Sequence, residues 1–449
     1  MPEQWLIAKI TPIFKKGNPH QIENYRPISN LCSCSKIFEK LILLRIRKLE
    51  IIKKLDLTGK PQHGFKAKHS TTTACMTLQS LIARALDGDE YALMATLDLS
   101  SAFDVVNVEL LLKRLTIMGL PSDMVLLISE WLRTRFFYVS LDVGNSSVRH
   151  CGVGTVQGSI LGPILYALFV SPLFDLAKMT LFADDNYILK SGKQIPELIN
   201  QLKLTIETII KWLKESGLKV NDDKTEICLF YRKDTPPIKI EINGNEITSL
   251  QSMNVLGITF DSKLNWQIQA QNAVTKSAKS LQAIKIIKNH FTKDELMRLI
   301  VANYYSILFY NADIWLIPSL ARQTKNMLMS ASASPLKICY RMYDRSISFE
   351  RLHNLMNRST PNTIMKLKHA LILHKIYNTE IPNHNWLDLF FNQNFNNRNQ
   401  NANFIDTSRF KQGKNLLINR FTCINNLIPY NVLNLKYGAF KIWCKNKFK

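Results

Sequence analysis

Features that define membrane-spanning and secreted proteins are scarce or missing in this sequence. The most apolar run, residues 160–177, is interrupted by Pro163, Pro172 and Asp175, so it does not suit a bilayer-spanning helix. No signal-peptide pattern follows Met1. We therefore expect no membrane association and a location in the nucleus or the cytoplasm.

Cysteine is sparse and shows no metal-binding pattern. Of 8 cysteines in 449 residues, only Cys32 and Cys34 lie close together, without a Cys-x-x-Cys motif or a histidine at ligand spacing. This spacing fits neither a disulfide framework nor a zinc site. We expect reduced thiols and no zinc.

Acidic side chains are outnumbered by basic ones. The chain has 58 Lys and Arg against 35 Asp and Glu, a formal charge of +23, which indicates a polyanionic partner. Residues 1–70 carry 14 basic and 5 acidic side chains, residues 71–319 carry 24 and 25, and residues 320–449 carry 20 and 5. Basic flanks around a neutral centre suit a nucleic acid held by its phosphates. The alternative is that the C-terminal cations only keep the chain soluble.

The neutral centre contains a pair of adjacent carboxylates. Residues 179–190 alternate β-branched or aromatic side chains around Asp184, Asp185 and Asn186, which predicts a strand, a turn and a second strand. Taken alone, an Asp-Asp pair is ordinary turn chemistry.

A third carboxylate changes that interpretation. Asp98 ends a predicted strand over residues 91–100, in which Leu93, Ala95 and Leu97 share one face and Asp98 lies on the other. Mg²⁺ takes oxygen ligands, and two such ions about 3.5–4 Å apart can promote an in-line displacement at phosphorus. Two acidic strand ends side by side would supply that site.

Seven sequence blocks occur in an order that resembles one family, the reverse transcriptases of non-LTR (LINE-type, jockey-like) retrotransposons. The blocks are ITPIFKKGN at 10–18 with NYRPIS at 24–29, QHGF at 62–65 with STT at 70–72, LDLSSAFD at 97–104, GTVQGSILGP at 154–163, FADD at 182–185, GLKVNDDKT at 217–225 and LGI at 256–258. The resemblance implies an RNA-directed DNA polymerase that joins dNTPs to a DNA primer on an RNA template. It also implies two Mg²⁺ ions, for which Mn²⁺ is a possible substitute.

The resemblance implies a right-hand polymerase, and the predicted element order agrees with it. Strand 91–100, helix 107–118, hairpin 179–190, helix 195–216 and strand 225–231 predict an α+β fold with a split βαβ sheet. The expected domains are incomplete fingers at 1–90, a catalytic palm with inserted fingers helices at 91–235, a primer-grip hairpin at 236–262, a helical thumb at 263–320, and a mostly helical basic C-terminal region at 321–449 with an Asn-rich linker at 383–403.

Catalytic roles follow when the family's residues are carried onto matching positions. Asp98, Asp184 and Asp185 resemble the metal-binding carboxylates that bring a primer 3′-hydroxyl to the α-phosphate. Lys224 resembles a proton donor to pyrophosphate, with a merely electrostatic role as the alternative. Leu256 and Gly257 resemble a turn that contacts the primer.

The resemblance also assigns residues to the nucleotide. The predicted triphosphate ligands are Lys9, Lys15 and Arg26, because basic side chains, Arg in particular, bind phosphate. Phe103 resembles the bulky side chain that blocks a ribose 2′-hydroxyl, although a core aromatic is the alternative. Gln157 and Gly158 resemble a loop beneath the nucleotide, where Gly permits close backbone approach.

Two departures and two rival functions remain. Val156 replaces the usual Pro before Gln157, which could loosen the nucleotide loop. The sequence begins almost at the fingers motif and shows neither an endonuclease nor an RNase H segment, so we expect lower activity than in a complete element. The rivals are a non-catalytic nucleic-acid-binding remnant and a relative of intron maturases.

The last third of the sequence leaves two interpretations open. Basic residues alternate with aromatic ones, among them Phe410, Phe421, Phe440 and Trp443. Such mixing suits single-strand binding by stacking and charge. A small basic helical domain with buried aromatics is the other interpretation.

Overall fold

The computed structural model describes residues 1–49, 62–99, 102–221, 224–344, 346–378, 427–433 and 435–448. The expected Asn-rich linker at 383–403 lies outside these residues, as do Phe410 and Phe421. Among the described helices, none combines the length and the apolarity that spanning a bilayer requires.

Strands and helices alternate through the first 260 residues, and helices dominate afterwards. The strands are β1 Ile7–Phe14, β2 Tyr25–Asn30, β3 Tyr91–Leu97, β4 Arg135–Leu141, β5 Gly144–Asn145, β6 Arg149–Cys151, β7 Met179–Phe182, β8 Asp185–Gly192, β9 Glu226–Phe230, β10 Lys239–Ile242, β11 Asn245–Thr248, β12 Ser252–Val255 and β13 Ile258–Asp261.

The α-helices are α1 Glu3–Leu6, α2 Ser33–Lys48, α3 Thr71–Asp87, α4 Val108–Ile117, α5 Ser122–Arg133, α6 Gly162–Val170, α7 Leu173–Leu176, α8 Ile195–Glu215, α9 Gln267–Ile287, α10 Lys293–Leu299, α11 Ser306–Leu308, α12 Ala312–Trp315, α13 Arg322–Tyr340, α14 Phe349–Leu355, α15 Pro361–Tyr377, α16 Tyr430–Leu433 and α17 Tyr437–Lys447. Short 3₁₀ turns lie at Ile22–Asn24 and Lys288–His290, and a π-helical segment lies at Ile300–Tyr305. The mixed content and the helical C-terminal part confirm the α+β class.

Four antiparallel strands form a central sheet, which we call the palm sheet, in the order β7-β8-β3-β9. The expected sequence of strand, helix, hairpin, helix and strand is present as β3, α4, β7–β8, α8 and β9. Helical periodicity correctly predicted α8, and Gly217 follows its end with a φ of +75°, a conformation that ends helices.

Both faces of the palm sheet are covered. On one face Leu93, Ala95 and Leu97 of β3 join a core that contains the apolar stripe of α8. On the other face Ala92 and Met94 join a core that contains α3, the β12–β13 hairpin and the C-terminal helices. Because the two faces are buried at its middle, the sheet is accessible mainly at its ends.

A second sheet forms from the N-terminal strands. Its order is β2-β1-β4, with β5 and β6 pairing along β4; β1 and β4 run parallel and the other pairs are antiparallel. The segment expected to form one primer-grip hairpin, 236–262, contains two hairpins, β10–β11 and β12–β13. The Leu256–Gly257 turn belongs to the second of them.

Candidate catalytic site

The paired carboxylates lie at the tip of the β7–β8 hairpin. Phe182 pairs with Asp185, so Ala183 and Asp184 form a two-residue loop. Ala183 has a φ of +58° whereas Asp184 is not in the positive-φ region, which is the pattern of a type II′ turn. Asn186, expected in the turn, lies in β8 and is buried; its side-chain amide donates to the carbonyls of Leu97 (3.0 Å) and Asp184 (2.8 Å).

Asp98 lies beside this tip because β3 is the neighbour of β8. Leu97, the last residue of β3, pairs with Asn186. A hydrogen bond holds the backbone just after the strand: the carbonyl of Asp98 accepts from the amide of Asn221 at 2.8 Å. The structure therefore brings Asp98, Asp184 and Asp185 to one end of the palm sheet.

The three carboxylates interact electrostatically. Burial raises the pKa of Asp184, and the charge of Asp98 raises it further, while Arg26 and Lys224 act in the opposite direction. Burial, together with the charges of Asp184 and Asp98, raises the pKa of Asp185 to about 6. The site thus concentrates negative charge that a bound cation would neutralise.

Lys224 supplies a positive charge to this cluster. Its Nζ lies 2.6 Å from Oδ2 of Asp98. Within the described residues no three Asp, Glu, His or Cys side chains are arranged as a ready metal site. The donor atoms of Asp98, Asp184 and Asp185 are all oxygens, which nevertheless fits Mg²⁺ or Mn²⁺. In the structure the Lys224 ammonium is the cation that pairs with Asp98.

The loop that contains Gln157 is fixed by contacts with two other elements. Both oxygens of Asp104 accept from Nε2 of Gln157, at 3.0 and 2.9 Å, and the carbonyl of Gln157 accepts from the amide of Ser29 at 2.9 Å. Gly158 has a φ of +103°, and a Cβ there would lie 2.5 Å from the carbonyl oxygen of Ser29. The close approach expected of Gly158 is therefore made to β2.

Two buried charges that the sequence analysis did not identify hold the same loop. The Oε2 of Glu39 accepts from the amides of Ile160 (2.7 Å) and Leu161 (3.1 Å) at the start of α6. The Arg135 guanidinium donates to the carbonyls of Leu132 (3.0 Å) and Gly154 (2.8 Å). Glu39 interrupts the apolar face of α2, which is the one sequence signal for a role beyond surface charge.

The three candidate triphosphate ligands lie on or next to the β1–β2 pair, and all are exposed. Arg26 pairs with Ile13 and is close enough to influence Asp184. Lys15 follows β1 and influences Asp104, whose pKa is raised by burial and lowered by Gln157 and Lys15. Lys9 pairs with Asn30 at the other end of the strand pair. The structure thus brings Arg26 and Lys15 to the site and places Lys9 farther from it.

Phe103 lies between two other aromatic rings. Its centroid is 4.3 Å from that of Tyr166 and 5.9 Å from that of Phe65, which it meets edge to face. Phe103 is half-buried, and the pKa of Tyr166 is raised by burial and by Asp184 and Asp185. Phe103 therefore contacts a ring that borders the carboxylates.

The expected primer turn is tied to the same hairpin. Leu256 and Gly257 both have positive φ (+49° and +82°), as in a type I′ turn. The Leu256 amide donates to the Tyr187 hydroxyl (3.3 Å), and the Tyr310 hydroxyl donates to the Leu256 carbonyl (3.2 Å). Because Tyr187 is two residues from Asp185, the turn has a fixed position relative to the carboxylates.

An apolar groove of about 840 Å³ opens on the N-terminal sheet beside this site. Its walls include Pro27, Phe137 and Val139, and Asp104 and Gln157 are also among its lining residues. The groove adjoins the loop that contains Gln157, and none of the three clustered carboxylates lines it.

Comparison with known proteins gives a match to one family model and to several relatives. The model of the family "Reverse transcriptase (RNA-dependent DNA polymerase)" matches residues 13–260. The RNA-directed DNA polymerase from mobile element jockey of Drosophila melanogaster is 31% identical over 60% of this chain and 30% of its own length. The probable RNA-directed DNA polymerase from transposon BS of the same species is 30% identical over 64% of this chain and 33% of its own length.

The chain thus spans about a third of the length of these curated relatives. A solved structure of apo telomerase from Candida tropicalis aligns with 79% of this chain and 60% of that chain, at 13% identity and a TM-score of 0.43. That similarity is too low to carry a conclusion.

Proposed function

The chain belongs to the reverse transcriptase (RNA-dependent DNA polymerase) family, and from this premise we propose that it is the RNA-directed DNA polymerase of a jockey-like non-LTR retrotransposon. It adds deoxynucleotides from dNTPs to the 3′-hydroxyl of a DNA primer on an RNA template. The observation that carries the proposal is the meeting of Asp98, Asp184 and Asp185 at one end of the palm sheet.

We propose that Asp98, Asp184 and Asp185 hold two divalent ions, Mg²⁺ or, as a substitute, Mn²⁺. Bound there, such ions supply activation of the attacking hydroxyl and stabilisation of the leaving oxygens. Burial and, after it, the charges of the neighbouring carboxylates raise the pKa values of Asp184 and Asp185, and a bound cation would relieve that repulsion. Lys224, whose side chain is 55% exposed, is free to rotate from Asp98 toward a leaving pyrophosphate and donate a proton.

The nucleotide lies, in this proposal, between the N-terminal sheet and the palm sheet. Arg26 and Lys15 bind the triphosphate, with Lys9 farther along β1 as a third cation. Gln157 and Gly158 form the loop beneath the nucleotide, and Phe103 blocks a ribose 2′-hydroxyl. Leu256 and Gly257 contact the primer, which the basic flanks of the sequence hold by its phosphates.

Primer extension tests the proposal. With an RNA template, a DNA primer, dNTPs and Mg²⁺, we expect synthesis by the native chain and none by Asp184→Ala. Asp142→Ala is the matched control, because Asp142 is an exposed aspartate outside the site. Loss of synthesis in Asp184→Ala alone supports the metal site, whereas equal synthesis by Asp184→Ala and Asp142→Ala contradicts it.

A second candidate function is nucleic-acid binding without catalysis. The observation that favours it is the pairing of Asp98 with Lys224, which occupies one of the three carboxylates with a protein cation. Binding of the template-primer without extension by the native chain, in Mg²⁺ and in Mn²⁺, would select this function. Stimulation of RNA splicing without DNA synthesis would instead indicate a maturase.

A further inference from the structure

The QHGF block at 62–65 lies against the turn that carries Asp184 and Asp185. Gln62 forms a parallel bridge with Leu181, and the amide of His63 donates to the Leu181 carbonyl at 2.7 Å. Gln62 is only 4% exposed. A segment more than a hundred residues upstream thus joins the β7–β8 hairpin through a single parallel bridge.

The side chain of Gln62 hydrogen-bonds to both the amide and the carbonyl of Ala183. Its Oε1 accepts from the amide of Ala183 at 3.0 Å and from the amide of Gly64 at 2.8 Å. Its Nε2 donates to the carbonyl of Ala183 at 3.4 Å. One buried carboxamide therefore satisfies the polar backbone groups of the residue immediately before Asp184.

Ala183 needs such support because its backbone conformation is unfavourable. Its φ of +58° is disfavoured for any residue with a side chain, and type II′ turns favour Gly at this position. Gly64 shows how closely the block approaches the turn: a Cβ at Gly64 would lie 2.4 Å from the Ala183 nitrogen. Without the two contacts from Gln62, the turn would lose the partners that fix its left-handed residue.

We propose that Gln62 is a positioning residue that holds Ala183 in its left-handed conformation and thereby fixes Asp184 and Asp185. The geometric part of this proposal stands on the hydrogen bonds of Gln62. Its catalytic consequence rests on the proposed polymerase function.

The first test is steady-state primer extension by Gln62→Met, which keeps the volume of the side chain and removes its hydrogen bonds. We expect kcat to fall by roughly 10- to 100-fold, because small displacements of catalytic groups have effects of that order. KM for the template-primer should remain within about twofold, since an effect on positioning alone acts mainly on kcat. Gln79→Met is the matched control: Gln79 is also buried, but it lies in α3 outside the site.

A second-site variant separates positioning from a general loss of structure. Glycine adopts positive φ without penalty. Ala183→Gly therefore removes the conformational cost that the Gln62 contacts offset. We expect the double variant Gln62→Met/Ala183→Gly to recover at least about fivefold of the activity lost by Gln62→Met, a change of ~1 kcal/mol. Absence of any recovery overturns the assigned mechanism.

Amide hydrogen exchange provides a readout that does not require activity. In Gln62→Met the amide of Ala183 should exchange at least about fivefold faster, while the amides of α8 keep their native rates. A native chain that fails to extend any primer refutes the polymerase function, yet exchange still decides whether Gln62 holds the turn. Unchanged exchange at Ala183, or Gln62→Met activity equal to that of the native chain, overturns the inference.

Discussion

Asp185 combines burial with two neighbouring negative charges, and this gives a prediction about stability. Its pKa in the folded chain is about 6, above the ordinary value of 3.8. A carboxyl whose pKa rises on folding contributes stability at a pH below its ordinary pKa of 3.8. That contribution is lost as the pH rises through the folded-state pKa of about 6. In metal-free protein at pH 8, the ionised Asp185 should therefore be destabilising.

Asp185→Asn should accordingly be more stable than the native chain at pH 8 without divalent ions. A shift of two pKa units corresponds to ~3 kcal/mol, and partial exposure reduces this, so we expect a gain on the order of 1–3 kcal/mol. The gain should be largely lost near pH 4, where the carboxyl of the folded native chain is protonated and as neutral as the amide of the variant. Denaturant unfolding in EDTA from pH 4 to 8 measures it, with Asp142→Asn as the control.

Addition of Mg²⁺ at pH 8 should make the native chain more stable than Asp185→Asn. A ligand that binds only the folded state raises its stability according to its concentration and Kd, and the native chain has one more anionic ligand than Asp185→Asn. If the variant gains as much stability from Mg²⁺ as the native chain does, Asp185 is not a metal ligand.

Phe103 can be tested for its two alternative roles. If its ring excludes a ribose 2′-hydroxyl, Phe103→Ala should lower the ratio of kcat/KM for dCTP to that for CTP by on the order of tenfold or more. If Phe103 is only part of the aromatic cluster with Tyr166, stability falls and the ratio stays the same. Phe65→Leu is the control, because it removes the edge-to-face contact but leaves the Phe103 ring in place.

At this scale the sequence predicted which motif residues meet in the structure, and did not predict contacts made across the fold. The meeting of Asp98, Asp184 and Asp185 could be predicted because each ends or turns a predictable strand. Gln62 and Glu39 were not assigned roles, because their partners Ala183 and Ile160 lie 121 residues away in sequence. The spacing of residues along the chain contains no information about such contacts.

At the scale of elements, the loop before α6 depends on a helix from the N-terminal part of the chain. Glu39 of α2 is fully buried, and burial raises the pKa of its carboxyl, while the amides of Leu161 and Ile160 lower it. These hydrogen bonds offset part of the penalty for burying the carboxylate.

Glu39→Ala should therefore destabilise the fold by about 1–3 kcal/mol, because two buried amides lose their acceptor. Glu39→Gln should have a smaller effect, since an amide oxygen can still accept from both. Thermal or denaturant unfolding measures this, and Lys40→Ala, an exposed neighbour on the same helix, should stay within about 0.5 kcal/mol of the native chain. Equal effects of Glu39→Ala and Lys40→Ala would contradict the role of Glu39.

The elements that sequence periodicity predicted best are those with local causes. The helix α8 has a complete apolar stripe and a glycine just past its end, and the β7–β8 hairpin has turn residues between alternating strands. The parallel pairing of β1 with β4 was not predicted. It joins strands more than a hundred residues apart, and strand sequences do not specify distant partners.

At the scale of the whole molecule, the palm sheet separates two cores, and the C-terminal helices belong to one of them. Phe440 of α17 is fully buried and stacks on His374 of α15, with ring centroids 4.2 Å apart. Phe440 is therefore a buried aromatic side chain and is not available to stack on a single strand. Lys441, Lys445 and Lys447 of the same helix are exposed, so the positive charge there remains accessible to a polyanion.

The uneven charge of the chain predicts binding of nucleic acid that weakens steeply with salt. Lys276 and Lys279 are exposed on α9, which buries Ala273, Ser277 and Leu281 on its other side and follows the hairpin with the expected primer turn. Each phosphate contact contributes about 0.9 to the slope of log K against log salt concentration for duplex DNA. If both lysines contact the template-primer, their removal lowers that slope by roughly 2.

The variant Lys276→Gln/Lys279→Gln tests this by fluorescence anisotropy of a labelled template-primer at several salt concentrations. Lys211→Gln/Lys214→Gln removes the same charge from α8, the helix that packs beneath the palm sheet, and should leave the slope nearly unchanged. Because net charge falls equally in the two variants, a difference between them reports on specific phosphate contacts. Equal slopes would mean that the positive field of the whole molecule, and not the face of α9, attracts the nucleic acid.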